Sequence, residues 1–254
     1  MNDETQDMEA YRAFLKADVW ERWMELETDQ RKQVPPPPLQ KPCPPGTPRI
    51  DLVAPHELAV GGMPLIEAIR QRRSRRTFTA EPLTLEELSF LLWATQGVSQ
   101  VMGDGVAALR TVPSGGARHP FETYLLVRRV QELAPGLYRY LPLDHQLCFL
   151  QPYAELAARA DDAWGARGSL SESAVVFVWT VIPYRTEWRY SIISPKIIAL
   201  DAGHLCQNLY LACEAIGAGT CAIGAYDQKK ADAIVGVDGK DEFVIYLAPV
   251  GKVK

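Results

Sequence analysis

Apolar residues recur at steps of three or four between residues 8 and 26, at Met8, Tyr11, Leu15, Val19, Trp23 and Leu26. That spacing predicts one amphipathic helix. The pattern then stops at eight prolines within residues 34–48, VPPPPLQKPCPPGTP. Proline fixes φ and lacks an N–H, so this stretch is expected to be an extended arm along the surface. Residues 1–49 are therefore set apart as helix plus arm, and 50–254 as the main domain.

Helical and strand periods both appear beyond residue 50. Leu65, Ile66 and Ile69 mark a short helix. Thr84 and Glu87 make a capping box for a second helix, with Leu85, Leu88, Leu91 and Leu92 as its buried face. Residues 122–129, 173–183 and 242–250 read as strands, and 136–141 with 145–150 as a hairpin. Residues 197–216 form a long helix that stops at Gly217. No regular βαβ rhythm connects these elements, which favours an α+β layer fold.

Composition narrows the class. At 254 residues, 47% hydrophobic and 23% charged, the chain can bury a core without staples. No apolar run reaches membrane-spanning length, and the acidic start MNDETQDMEA is unlike a secretory signal. A net charge of -4 argues against a nucleic-acid binder. The five cysteines form no CxxC pair, which suits buried thiols in a reducing cytoplasm.

Against that acidic background, residues 68–79 read AIRQRRSRRTFT, with five arginines. They can be a solvated helix end facing the negative pole of the dipole. They can equally be an anion site, since arginine forks hold phosphate in a bidentate way. Residues 112–120, VPSGGARHP, carry two glycines that let backbone approach a ligand, or form a plain turn. Residues 220–226, TCAIGAY, have a central glycine. Within residues 201–208, DAGHLCQN, the lone His204 reads as structural, and no zinc spacing is present. GxGxxG, Walker A, GxSxG and HExxH motifs are all absent, which speaks against dinucleotide-fold, P-loop and hydrolase chemistry.

The order of these stretches carries more than any one of them. RRSRRTF, LLWATQG, VPSGGARHP, DAGHLCQN, TCAIGAYD and APVGK follow one another over residues 62–252. In this the chain resembles the nitroreductase superfamily, and within it the SagB-type dehydrogenase branch that includes azoline oxidases. The resemblance implies an α+β fold with a central, mostly antiparallel sheet flanked by helices. It also implies a homodimer with FMN at the subunit interface. By resemblance, Arg72, Arg73, Ser74 and Arg76 grip the flavin phosphate and ribityl chain, and Arg75 lies at a variable, surface position. Pro113, Ser114, Gly115 and Gly116 line the ring. Ile223, Gly224 and Ala225 lie near flavin N5, Lys252 reaches the phosphate, and Gln207 adds a contact. NAD(P)H is the candidate electron donor, and the substrate is a small molecule or a peptide.

Where the branch has a catalytic Lys-Tyr pair followed by glycine, this chain has Arg189, Tyr190 and Ser191. Arginine stays protonated and cannot be a general base at neutral pH, but it can hold an anionic substrate. Tyr190 can donate a proton. The resemblance also places the long helix at the subunit contact; outside the resemblance, the N-terminal helix with Trp20 and Trp23 is expected to wrap the neighbour through the proline-rich arm. The rival reading is a non-catalytic protein of the same fold that binds flavin or a partner.

Overall fold

Two strands of seven residues, buried along their whole length, lie side by side at the middle of the chain's sheet. They are β4 (Phe121–Val127) and β7 (Val175–Val181). The computed structural model describes residues 3–164 and 171–254. Its main sheet has seven antiparallel strands in the order β1 (Arg49–Asp51), β6 (Gln146–Pro152), β5 (Gly136–Leu141), β4, β7, β9 (Phe243–Lys252), β8 (Ala218–Thr220).

Both faces of the centre are covered, and this explains runs without polar alternation. Leu125, Val127, Phe177 and Trp179 point to one side. There they meet Leu88, Leu91 and Leu92 of α3 (Leu85–Gln96) and Leu205 and Leu209 of α6 (Ser194–Ala215). Tyr124, Leu126, Val176 and Val178 point to the other. There they meet Ala160 and Ala163 of α4 (Ala157–Trp164) and Ala231, Ile234 and Val235 of α7 (Gln228–Val235). Successive strand residues alternate between the two clusters, as a pleated backbone requires. A separate hairpin joins β2 (Val98–Met102) to β3 (Ala107–Arg110). No helix among the described residues is long and apolar enough to cross a membrane.

The predicted capping box is present: Thr84 Oγ1 accepts from Glu87 N at 3.1 Å, and Thr84 N donates to Glu87 at 3.0 Å. The long helix ends before Gly217, which adopts φ +66°. The single helix expected over residues 8–26 is instead two pieces, α1 (Asp3–Ala13) and a 3₁₀ helix over Asp18–Glu25. Its apolar stripe finds no layer to cover: Tyr11 is 75% and Leu15 67% exposed. Lys196 Nζ takes the carbonyls of Leu15 and Lys16 at the break.

The proline-rich stretch lies along the domain and sends a side chain into it. Lys41 N donates to Glu122 at 2.9 Å, and Lys41 Nζ reaches Glu242 and Tyr124. Arg110 donates to the carbonyl of Leu39, and Arg139 to those of Lys41 and Pro42. Cys43 is disulfide-bonded to Cys148, 105 residues away, with Cα atoms 6.1 Å apart. The expectation of five thiols is corrected to one bridge and three buried free cysteines, Cys206, Cys213 and Cys221. Only the fold-back of the arm onto β6 brings the bridged pair within reach, so their spacing in the chain carried no sign of it.

Candidate functional site

The arginine-rich segment leaves α2 (Leu65–Gln71) and runs beside the end of β8, with a parallel bridge between Ser74 and Thr220. Arg75 N donates to Thr220 O at 2.9 Å. The arginines then divide by role. Arg73 curls back onto the carbonyls of Arg70 and Arg72, and so serves as the helix end. Arg75 packs inward: its stem lies against Gly219 and its Nε is 3.8 Å from the buried Glu214 carboxylate. Arg75 stays partly at the surface, its side chain 38% exposed, while Glu214 at the end of α6 gives one edge of it a partner. Arg72 and Arg76 make no ion pair among the described residues. The Arg72 guanidinium stands over the Tyr210 ring at 5.5 Å.

Tyr210 is the hub of this cluster, and no sequence motif pointed to it. Its hydroxyl lies 3.3 Å from Ser74 Oγ and accepts from Ala222 N at 2.8 Å. It thus joins segment 72–76 to segment 220–226. In the latter, Ile223 pairs with Leu247 of β9 through two backbone hydrogen bonds, of 2.7 and 3.1 Å. A Cβ built on Gly224 would meet nothing within 4 Å, so its backbone borders open space. Ala225 follows at the exposed surface. Lys252 ends the same sheet edge, but its ammonium is held by Glu87 and the Ile216 carbonyl.

The second cluster forms at the other end of α6. Asp201 accepts from Ser114 Oγ at 2.6 Å and from Gly115 N at 3.1 Å. Burial pushes the Asp201 carboxyl above its usual range, and those two hydrogen bonds partly offset it. His119 N donates back to Ser114 Oγ at 2.9 Å. Its imidazole, buried beside Arg110 and Arg118, is pushed down to about 3 and stays neutral. Pro113 is exposed at the mouth of this loop. Gly116 takes φ +62°, and a Cβ there would lie 2.6 Å from Arg189 Cδ and 2.8 Å from the Tyr190 hydroxyl. A glycine is needed on both counts. The loop 113–116 and the pair Arg189–Tyr190 are therefore in direct contact. Gln207 is exposed on α6 between the two clusters, one helical turn before Tyr210.

Arg189 and Tyr190 end α5 (Tyr184–Tyr190), with the Arg189 guanidinium 5.5 Å from the Tyr190 ring centre. Ser191 then turns the chain at φ +47°, ψ -128°, a conformation suited to glycine. A non-glycine residue held there costs about 1–3 kcal/mol. Ser191→Gly should accordingly raise stability by a net ~1 kcal/mol, after the greater unfolded-state freedom of glycine is subtracted. A urea unfolding curve no more stable than that of the parent would refute this. Trp20 and Trp23, expected to wrap a neighbouring subunit, lie instead on Tyr190 of their own chain, at 6.0 and 5.7 Å between ring centres.

Comparison with known proteins points one way. A family model described as the nitroreductase family matches residues 69–252. A protein of Methanocaldococcus jannaschii that carries a nitroreductase name is 31% identical over 188 residues, covering 74% of this chain and 90% of that one. Of the solved structures, one from Ralstonia eutropha JMP134 described as a nitroreductase superposes with TM-score 0.64 at 25% identity, over 87% of this chain and 94% of that one. The E. coli microcin synthetase McbBCD complex with truncated pro-MccB17 gives 0.59 at 18%, over 85% and 78%. The NADPH:FMN oxidoreductase of Vibrio harveyi complexed with NAD+ gives 0.51 at 19%, over 74% and 68%.

Proposed function

Because this chain belongs to the nitroreductase family, we propose that it is an FMN-dependent oxidoreductase of the SagB-type dehydrogenase kind, working as a homodimer. One observation carries the cofactor assignment. Segments 72–76 and 220–224, about 146 residues apart in sequence, are joined at Tyr210 into one surface with unpaired guanidiniums and an open glycine. These residues fit FMN. Arg72 and Arg76, with Ser74, are donors open to a phosphate, Arg73 spends one guanidinium nitrogen on backbone carbonyls and can add the others, and Lys252 is held by Glu87. Gly224 leaves room for a flat ring beside the backbone N–H groups of residues 224 and 225, while that of Ile223 is taken by Leu247. Bound there, FMN would supply the hydride-carrying chemistry, while the protein supplies orientation and charge.

The dimer reading has its own support. Leu65, Ile66 and Ile69 of α2 are 64%, 63% and 58% exposed, and Leu200 of α6 is 56% exposed. A second subunit is the natural cover for such side chains. The two clusters sit toward opposite ends of α6, which suits a site completed by a partner. Arg189 can hold an anionic group of a small-molecule or peptide substrate, with NAD(P)H as candidate reductant. Azoline oxidation in its lysine-dependent form is not expected, since arginine replaces the base.

Titration of the flavin-free protein with FMN tests the reading. Arg72→Ala should weaken binding about ten- to a hundredfold, the usual worth of a charge-assisted contact. Arg70→Ala, which loses only an exposed pair with Glu67, should leave binding within about twofold. Equal affinities for the two variants would remove the assignment. Tight FMN binding without electron transfer from any donor would favour the non-catalytic alternative.

A further inference from the structure

The segment before residue 28 is placed over Tyr190, the neighbour of Arg189, yet almost nothing in the core holds it there. None of the residues of the 3₁₀ helix Asp18–Glu25 is buried. Tyr11, Leu15 and Met24 are 75%, 67% and 81% exposed. Its polar ties come from two exposed cations. Arg31 donates to the carbonyls of Trp23 and Leu26 at 2.8 and 2.7 Å, and Lys196 donates to those of Leu15 and Lys16. Such exposed bonds open easily.

From residue 28 onward the attachment changes. Thr28 is buried. Tyr184 donates to Asp29 at 2.8 Å, Gln30 N donates to Trp188 O at 2.9 Å, and Trp188 Nε1 donates to Val34 O at 2.8 Å. All three bonds fix residues 28–34 to α5, the helix that carries Tyr190. The geometry is a loosely held flap on a firm hinge, and among the described residues its ring contacts outside the segment are with Tyr190 and with Arg31.

We propose that Trp20 and Trp23 are specificity-determining residues: they form a cap, in cis, that limits by size what reaches Arg189 and Tyr190. Small or flat substrates pass beside the indoles, and a bulky one enters only when the segment swings away about residue 28. The inference rests on the reading of Arg189 and Tyr190 as part of the reaction site.

The test compares the full-length protein with Trp20→Ala/Trp23→Ala and, to release the segment with its indoles intact, Arg31→Ala/Lys196→Ala. Arg189→Cys is placed in each background and labelled with iodoacetamide, or with iodoacetamide attached to a ten-residue peptide. Labelling of the three buried native thiols, measured without Arg189→Cys, is subtracted. Both double variants should speed peptide-linked labelling at least tenfold, and small-reagent labelling less than threefold. An unchanged ratio in both overturns the cap. This readout needs no flavin, so it stands even if FMN binding fails. With flavin bound, kcat/KM for p-nitrobenzamide and for its peptide conjugate should diverge the same way in chains that retain Arg189. No turnover of either would count against the oxidoreductase reading and leave the labelling result to decide the cap.

Discussion

Glu122→Ala should cost the fold about 3–5 kcal/mol, the usual result of leaving buried charge without its counter-ion. Glu122 is 2% exposed and sits among three buried arginines, Arg110, Arg139 and Arg185. It accepts from Arg185 at 2.5 Å, and its other oxygen is 4.0 Å from Arg139 Nε. Other donors of this group reach neutral acceptors, Gln96 and the carbonyls of Leu39, Lys41 and Pro42, while Arg110 Nε, Arg139 Nε and Arg185 Nη1 are buried without a hydrogen-bond partner. Burial and the neighbouring Arg185 already push Arg110 down to about 10, and Glu122 opposes that fall. Alanine would also strip the acceptor from Lys41 N and loosen the arm. Glu122→Gln keeps shape and one acceptor, so it should lose less. Urea unfolding of the three proteins measures this, and a loss below about 1 kcal/mol for alanine would show that the arm carbonyls alone suffice.

Tyr190→Phe should keep its flavin and lose about a hundredfold or more in turnover, the usual worth of one positioned acid or base group. The phenol oxygen faces Gly116, where only the missing Cβ leaves room for it. The substitution removes that oxygen and retains the ring that Trp20 and Trp23 touch. Flavin content should therefore match the parent, and the loss should appear in kcat under saturating donor. Turnover equal to the parent would move proton transfer to another group. Arg189→Lys, tested alongside, keeps the charge against the glycine loop but loses the planar fork, so it should raise KM for an anionic substrate more than it lowers kcat.

The main sheet and its long helices were legible because their side chains obey a simple period. Residues 175–179 are continuously apolar, and Thr84 with Glu87 marks a helix start that the structure keeps. Three things were not legible. The stripe from Met8 to Leu26 has a helical period, but the core offers it no face, so tertiary contacts with Lys196 and Tyr190 decide its shape. The short elements α7 and β2–β3 are too brief for periodicity to speak, although Asp227 before and Gly236 after α7 are its cap and stop. In the candidate site, motif order pointed to segments 72–76, 113–116 and 220–225 and to the stretch that opens with Asp201, but not to the contact of Asp201 with Ser114, while Tyr210 and Glu214 belong to no short pattern. Which arginine faces outward was equally hidden, because it depends on Glu214 lying beside Arg75.

Helix α6 carries the anchor of both clusters, Asp201 two turns in from its start and Tyr210 nine positions on. Their separation along the axis is about 13–14 Å, set by helical rise and not by side-chain reach. The stretch between them therefore has a fixed phase. Exchanging residues within it alters local packing, but inserting or deleting a single one would turn one anchor by about 100° relative to the other. Either Ser114 or Ser74 would then face a different side chain, so chain length between 201 and 210 should be held more strictly than residue identity.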